Sequence, residues 1–590
     1  MLFGRRTAFL FSMPLALLGV GSGSALAATS SVCRPALQVE DVAPGATGSA
    51  PSSLLQMGEL LFYAANDGAH GTELWRSDGT AAGTYQLKDI SSGAASSNPS
   101  SFISIGGTLY FVADDGSHGQ ELWKSDGTEA GTVLVKDLRP GTSSSSVSSV
   151  KVMKEQLYFV ADDGSRGQEL WKSDGTEAGT VLVKDLQPGA SGSSATALMG
   201  VGDTLFFRAN GGTQGVELWK SDGTEAGTVQ VKDIAPGSAG SLPSDLTAAG
   251  GKLFFTASDG VSSANLWVSD GTEPGTFQVK AIHPDAAHAV PDQLRAVGST
   301  LFFRADDGTH GPELWKSDGT EAGTVLVKDL RTGTSGSRPS NLVNVAGKLF
   351  FSADDGLGGR ELWLSDGTEA GTRQLKDVQP GSNGSLPDQL TAVGDTLLFV
   401  ADDGTTGREL WKSDGTEAGT QQVVDLTPGA ASSLPRSLTV VGTNVFFVAD
   451  ESGTGAELYS FGRPLLGDCT PPAVVCPADV QISATGPEGA SVSYPPATAT
   501  DASPSPTLSY STPSGGTFPV GDTEVTVTAT DAAGNQGTCS FAVKVRSISS
   551  GPEEEGGCGC SSSSGGTTAL WVLGVLALAL ARRRQPGSPS

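Results

Sequence analysis

The sequence is poor in basic residues, cysteine and histidine. Its 590 residues include 37 Lys and Arg against 64 Asp and Glu, a formal net charge of −27, which argues against nucleic acid as a partner. Six cysteines are too few for disulfides to replace a hydrophobic core, so we expect them to fix particular places. The five histidines do not cluster along the chain.

The sequence also lacks catalytic motifs and an apolar run of the usual length for a membrane span. It contains no nucleophile elbow, HExxH motif or glycine-rich phosphate loop of usable specificity. The apolar run at 569–581 has 13 residues, or 17 when counted back through Gly565, against the roughly 20 that a span needs. We therefore expect a protein that is not an enzyme.

What the chain does contain is a repeat. The segment Glu121 to Asp137 (ELWKSDGTEAGTVLVKD) recurs at a spacing of 48 residues, with Trp at 75, 123, 171, 219, 267, 315, 363 and 411 and Tyr459 in the same place. A period of this size holds about four short strands, the content of one propeller blade. The strands are designated a, b, c and d in chain order, and the apolar segment Gly107 to Asp115 is predicted to be the well-covered strand b.

The phase of the repeats predicts how the array ends. Leu37 to Val42 matches strand d although no a, b or c precedes it, while Glu457 to Ser460 matches strand c and no d follows. Pairing the first and last strands within one blade would close a ring and remove its free edges. We predict an all-β fold, a nine-bladed β-propeller over 33–463; a solenoid or a loosely closed ring is the alternative.

The Glu-Leu-Trp and Ser-Asp-Gly-Thr signatures resemble the ELWxxDGT repeat family over about 430 residues. The resemblance implies an exported, often surface-associated protein and transfers no activity. One tryptophan at a fixed place in every blade is predicted to pack between blades. Repeat five departs from the pattern at Asn265, Pro274 and Ala281.

The composition changes from Asp468 onward. The stretches DCTPPAVVCPADVQI and TFPVGDTEVTVTATDAAGN resemble a hyalin-repeat (HYR) domain, which implies an immunoglobulin-like sandwich over 468–546 and an association with extracellular adhesion. Cys476 and Cys539 match one disulfide of that family. Ser503 and Thr528 stand where a second pair is common, so this copy would carry one bridge.

Both ends resemble processing signals. Arg5 and Arg6, an apolar run and Ala25-Leu26-Ala27 predict a signal peptide over 1–27 that is cleaved after Ala27. At the other end a polar linker, 547–557, leads into a segment over 558–590 with Cys558, Cys560, the apolar run and three arginines. This order resembles the MYXO-CTERM sorting tail, which implies membrane contact, cleavage near the cysteines by a sorting protease, and a surface or released form. A plain membrane anchor is the alternative.

Paired aspartates recur in the loop between strands b and c. Because this loop and the d-to-a loop share a face of a propeller, their carboxylates would form a ring that favours cations, with Ca²⁺ as a possible ligand. An Asp-Gly turn with no ligand is the alternative interpretation. The candidate metal residues are Asp114, Asp115, Asp162, Asp163, Asp306, Asp307, Asp354, Asp355, Asp402 and Asp403.

Ring closure also predicts a disulfide. Cys33 precedes the first strand d by four residues, and Cys469 follows the last strand c by nine, so both lie beside the one blade that lacks a covalent c-to-d turn. We predict a Cys33–Cys469 bridge in place of that turn. The alternative is that Cys469 pairs within the HYR domain and Cys33 is free.

Together these patterns predict a non-enzymatic protein of the cell surface or extracellular space. Its propeller loops would present a site for a protein or glycan ligand, with export machinery and a sorting protease as further partners. A propeller hydrolase acting on surface polysaccharide and a purely structural envelope component are the alternatives.

Overall fold

A computed structural model describes residues 36–283, 290–451, 453–462, 472–501, 506–531 and 536–547. These residues form strands joined by turns and divide into two compact units. None of them belongs to a helix long and apolar enough to cross a membrane. The predicted signal peptide, the sorting tail, Cys33, Cys469, Cys558 and Cys560 lie outside the described residues.

Within the described residues, the first unit contains nine four-stranded antiparallel sheets in the order a-b-c-d. The a strands are β2 (Ser52–Met57), β6 (Ser100–Ile105), β10 (Ser148–Met153), β14 (Thr196–Val201), β18 (Ser244–Ala249), β22 (Asp292–Val297), β26 (Ser340–Val345), β30 (Asp388–Val393) and β34 (Arg436–Val441). The b strands are β3 (Leu60–Asn66), β7 (Thr108–Asp114), β11 (Gln156–Asp162), β15 (Thr204–Asn210), β19 (Lys252–Ala257), β23 (Thr300–Asp306), β27 (Lys348–Asp354), β31 (Thr396–Asp402) and β35 (Asn444–Glu451).

The outer half of each blade consists of strands c and d. The c strands are β4 (Thr72–Ser77), β8 (Gln120–Ser125), β12 (Gln168–Ser173), β16 (Val216–Ser221), β20 (Asn265–Ser269), β24 (Pro312–Ser317), β28 (Arg360–Ser365), β32 (Arg408–Ser413) and β36 (Gly455–Gly462). The d strands are β5 (Tyr85–Lys88), β9 (Val133–Lys136), β13 (Val181–Lys184), β17 (Val229–Lys232), β21 (Phe277–Lys280), β25 (Val325–Lys328), β29 (Arg373–Lys376), β33 (Gln421–Val424) and, for blade nine, β1 (Leu37–Glu40).

The predicted closure is confirmed. Strand β1 pairs antiparallel with β36, so Leu37 lies opposite Ser460 and Gln38 opposite Tyr459. Each a strand also lies beside the a strand of the next blade, and β2 lies beside β34, which completes the circle. The all-β nine-bladed propeller is therefore a closed ring with the a strands innermost.

Hydrophobic packing between blades follows the repeat. One buried cluster joins Phe62 and Leu74 of blade one to Phe111 and Trp123 of blade two, and equivalent clusters recur around the ring. Trp123 is buried. The tryptophans are confirmed as packing residues, since each fills the space against the preceding blade.

Lysines in strand d link the outer edge of blades one to seven to the following blade. Lys124 Nζ donates to the carbonyl of Gly175 (2.9 Å), and Lys136 Nζ donates to the carbonyl of Thr180 (2.9 Å), both in the connection between strands c and d of the following blade. Two d strands lack this lysine: blade eight carries Val424 and blade nine carries Glu40 at the same place. For blade eight the exception follows from the missing acceptor, since the sequence of blade nine has no Ser-Asp-Gly-Thr turn.

The second unit is a small β-sandwich with its own core, built around residues such as Tyr494, Phe518 and Phe541. A disulfide joins Cys476 to Cys539 with a Cα–Cα distance of 5.8 Å, the pair that the HYR resemblance implies. The strands are β37 (Ala473–Val475), β38 (Val480–Ser483), β39 (Ala490–Ser491), β40 (Thr498–Thr500), β41 (Thr507–Tyr510), β42 (Thr517–Phe518), β43 (Gly521–Thr530) and β44 (Gln536–Arg546).

Candidate functional site

The glutamate of the Glu-Leu-Trp signature forms a buried clamp in the propeller. Glu169 is fully buried and accepts from the backbone N–H and Oγ of Ser193, both at 2.7 Å, and from the N–H groups of Leu186 (3.2 Å) and Gln187 (3.3 Å). The carbonyl of Ser193 in turn accepts from the N–H of Asn210 in the next blade at 2.8 Å. One carboxylate therefore orders the d-to-a loop and links two blades.

The same clamp recurs in every blade except blade five, where Asn265 stands in place of the glutamate. In blade nine, Glu457 accepts from Ser49 N and Oγ, both at 2.6 Å, across 408 residues of sequence. The clamp therefore also closes the ring. Its glutamates are Glu73, Glu121, Glu169, Glu217, Glu313, Glu361, Glu409 and Glu457.

Burial changes the acidity of the clamp carboxyls. Burial raises the pKa of Glu121 from the usual 4.5 to about 7, and the hydrogen bonds from Ser145 and nearby N–H groups only partly offset this. Burial also raises the pKa of the other clamp glutamates. Between pH 4.5 and about 7, the folded chain therefore binds more protons than the unfolded chain. The free energy of unfolding falls as the pH rises through the folded-state pKa.

We expect the thermal midpoint to be lower at pH 8 than at pH 5.5 by a few °C, because one pKa unit corresponds to about 1.4 kcal/mol and the same burial raises the pKa of every clamp glutamate. Differential scanning calorimetry at constant ionic strength measures it. Glu121→Gln removes one titrating group, so its midpoint should depend less on pH. A wild-type midpoint that is constant or rises from pH 5.5 to 8 would contradict the expectation.

The paired aspartates hold their own turns. Asp114 Oδ1 accepts from Gly116 N (2.7 Å), while Asp115 Oδ1 accepts from the N–H groups of Ser117 (2.8 Å) and His118 (2.9 Å). The pairs Asp162/Asp163, Asp306/Asp307, Asp354/Asp355 and Asp402/Asp403 repeat this pattern. Each pair therefore has a structural use that requires no ligand.

The structure does not bring these carboxylates together. Within the described ranges, no group of three or more His, Cys, Asp or Glu side chains is arranged to hold a metal ion. His118 Nδ1 lies 2.8 Å from Asp115 Oδ2, and this hydrogen bond raises the pKa of His118. His70 and His310 contact Asp67 and Asp307 in the same way. The calcium site stays a prediction.

The inner strands carry a feature that the sequence did not reveal. The second residue of every a strand has a positive φ, among them Gln293 (56°), Asn341 (55°) and Gln389 (52°), and the a-to-b pairing shifts register beside each of them. Such a bulge bends an edge strand and redirects its side chains. The other six positions are Ser53, Ser101, Ser149, Ala197, Asp245 and Ser437, so long amides occur in blades six to eight alone.

A polar cavity of about 340 Å³ lies at these three blades, on the channel side of the ring; we call it the channel cavity. Its lining comes from three consecutive a strands. Arg295 Nε donates to the carbonyl of Leu342 (2.7 Å), and Asn341 N donates to Gln293 Oε1 (3.2 Å), so neighbouring blades hold the lining in place. The lining residues are Gln293, Leu294, Arg295, Asn341, Leu342, Val343, Asp388, Gln389 and Leu390.

Arginines approach the cavity from strands b and c of the same blades. Arg360 Nη1 donates to Ser340 Oγ at 3.0 Å, beside Asn341 in the sequence. Arg408 Nη2 lies 3.9 Å from Asp388 Oδ2 in the lining. Amides, a carboxylate and guanidinium groups thus meet at one recess. Together they can form hydrogen bonds to the hydroxyl groups of a ligand and ion pairs with its charged groups.

Comparison with known proteins identifies the C-terminal unit. Residues 467–545 match the HYR domain family. No curated protein matches the sequence. The propeller assignment therefore rests on the sheet order of the chain itself.

Solved structures with propeller domains resemble the chain weakly. A puromycin hydrolase mutant shares 14% identity at a TM-score of 0.33, covering 68% of this chain and 63% of that one. A prolyl endopeptidase shares 12% at a TM-score of 0.35, covering 61% and 55%. The β-propeller domain of the Trilobed protease from Pyrococcus furiosus, described as having an open velcro topology, shares 12% at a TM-score of 0.31, covering 64% and 98%. The chain thus spans less than two thirds of the first two.

Proposed function

We propose that this chain is an exported, non-enzymatic protein that binds a ligand at the cell surface or in the extracellular space. The channel cavity carries this proposal, because three blades contribute polar side chains to one recess of a size that suits a small ligand or part of a polymer. The HYR domain and the Cys476–Cys539 disulfide support an adhesion-type role in an oxidising environment. Sorting of the C-terminal tail near Cys558 or Cys560 belongs to the same proposal.

The cavity chemistry favours binding over hydrolysis of a glycan. Hydrolysis of a glycosidic bond ordinarily needs two carboxyl groups on opposite sides of the bond. Asp388 is the single carboxylate among the nine lining residues, and Arg408 lies beside it. Asparagine and glutamine side chains each offer a donor and an acceptor, which suits the hydroxyl groups of a saccharide.

A glycan array probed with the full secreted chain is expected to show binding to one class of glycan. Chromatography of the bound glycan after prolonged incubation should recover it intact. Recovery of shortened products would replace the binding proposal with a polysaccharide hydrolase. A chain that binds no glycan on the array and no protein of the cell surface would instead be a structural envelope component.

A further inference from the structure

Arginine side chains gather beside the channel cavity, whose own lining holds one arginine, Arg295, and one aspartate, Asp388. Arginine is concentrated around blades six to eight, in a protein with a net charge of −27. Four of these side chains, Arg304, Arg338, Arg360 and Arg408, lie on or beside the strands that form the cavity; we call them the arginine arc. They are not part of the repeat, since blades two and three carry Gln120 and Gln168 where blade seven carries Arg360.

Two arginines of the arc have no carboxylate partner. Arg304 forms an ion pair with Asp292, and Arg408 lies near Asp388. Among the described residues, Arg338 and Arg360 have no carboxylate within ion-pair distance. Asp354 lies near Arg360 but pairs with Arg331 at 2.7 Å.

Arg360 is nevertheless held firmly. Its Nη1 donates to Ser340 Oγ (3.0 Å), Ser352 O (3.1 Å) and Ser352 Oγ (3.3 Å), and its Nη2 donates to the carbonyl of Arg338 (3.0 Å). All of these acceptors are neutral, so the guanidinium is oriented without being neutralised. A charge that is fixed before the ligand arrives loses little conformational entropy on binding.

Two other arginines lie close enough to Arg360 to affect its charge. Burial lowers the pKa of Arg360, the charge of Asp354 partly offsets this, and the charges of Arg304 and Arg338 lower the pKa further. Arginines that repel one another in a partly buried place gain when an anion is bound between them. Arg338 is exposed and makes no side-chain hydrogen bond to the described residues, so it is available to such an anion.

We propose that the channel cavity and the arginine arc together bind an acidic polysaccharide, with the arginines on its carboxylate groups and the cavity amides on its hydroxyl groups. A guanidinium matches the geometry of a carboxylate, which it can bind through two parallel hydrogen bonds. Gln293, Asn341 and Gln389 supply donors and acceptors for a polyol in the adjoining recess. This assignment rests on the binding function proposed above and names its ligand class.

Two substitutions test the arc with little risk to folding. Arg360→Gln introduces the residue that blades two and three carry at the same place, and Arg338→Asn introduces the residue of blade one, Asn98, which has a positive φ like Arg338. Arg166→Gln is the control, since it removes an exposed arginine from the b-to-c loop of blade three. Thermal midpoints establish that all three variants are folded.

Isothermal titration calorimetry with the full secreted chain measures the effect. Oligogalacturonate should bind, dextran should not, and sulfated dextran separates a requirement for carboxylate from one for any anion. R360Q and R338N should each weaken binding of oligogalacturonate by roughly tenfold, the value of one charge-assisted hydrogen bond, while R166Q should leave it unchanged.

Three results would overturn the assignment. One is an R360Q chain that binds as tightly as the wild type, another is equal binding of dextran, and the third is equal binding of a duplex DNA oligonucleotide, which would indicate general attraction of polyanions. If the chain binds a neutral glycan or a protein, and R360Q binds it as well as the wild type, the proposed acidic ligand is wrong but the proposed binding function stands. If the chain binds none of these ligands, both proposals are wrong.

Discussion

Replacing Glu169 by alanine is expected to lower the free energy of unfolding by about 3 kcal/mol, because four hydrogen-bond donors then lose the carboxylate that they share in a largely buried place, and only Ser193 Oγ keeps a second acceptor, the carbonyl of Gln168. Those donors are Ser193 N and Oγ and the N–H groups of Leu186 and Gln187. Water cannot replace the carboxylate readily, since Glu169 and Ser193 are fully buried. The d-to-a loop would lose its anchor, and with it one link between blades three and four.

Glu177→Ala provides the matched control. It makes the same chemical change in the same repeat, but the Glu177 side chain is exposed in the turn after strand c. Urea unfolding followed by tryptophan fluorescence should show a clearly lower midpoint for E169A and a midpoint close to that of the wild type for E177A. Similar midpoints for the two variants would mean that the clamp does not stabilise the ring.

The partner of each clamp glutamate can be recognised in the sequence, although the sequence analysis did not predict the clamp. The tryptophan is the part of the repeat whose role follows directly from the sequence, because an aromatic residue at a fixed place predicts packing. The role of the glutamate depends on a partner 24 residues away, and that partner was visible: Glu121 is followed by Ser145 and Glu169 by Ser193. In repeat five both change together, to Asn265 and Ala289. When two positions depart from a repeat together in this way, the departure indicates that their side chains are in contact in the other repeats.

The fold was predictable for a physical reason. A 48-residue unit cannot bury its apolar faces alone, so its period fixes the blade, and the offset between Leu37 and Glu457 fixes the closure. The channel cavity was not predictable in the same way. It depends on a bulge in strand a, where residues as different as Ser53 and Gln293 adopt the same positive φ. The residue type at this position therefore does not predict the bulge.

The predicted metal residues show that residue type alone does not fix the role of a side chain. Carboxylates attract cations, so Asp114 and Asp115 predict a metal site, yet each is used within its own turn. An overall charge of −27 gives no sign of the arginines that gather around Arg360. Total charge describes the whole surface and says little about one recess.

The largest destabilisation is expected where the two ends of the propeller meet. Val39 lies in β1 and is buried, with 8% of its surface exposed, in a cluster that contains Tyr63 and Trp75 of blade one and Leu458 of blade nine. Val39→Asp would place a carboxylate among these side chains with no partner. We expect a loss of at least about 3 kcal/mol in the free energy of unfolding.

Leu37→Asp is the control for Val39→Asp, because Leu37 belongs to the same strand but is 58% exposed. Both variants add the same charge to β1, so a difference between their free energies of unfolding measures the effect of burying this strand rather than electrostatic repulsion.

The V39D chain should also associate in solution, since releasing β1 leaves β36 as an unpaired edge that can pair with another chain. Light scattering coupled to size exclusion detects this. If L37D proves as unstable and as prone to association as V39D, the added charge causes both effects, and closure of the ring does not depend on burying β1 in blade nine.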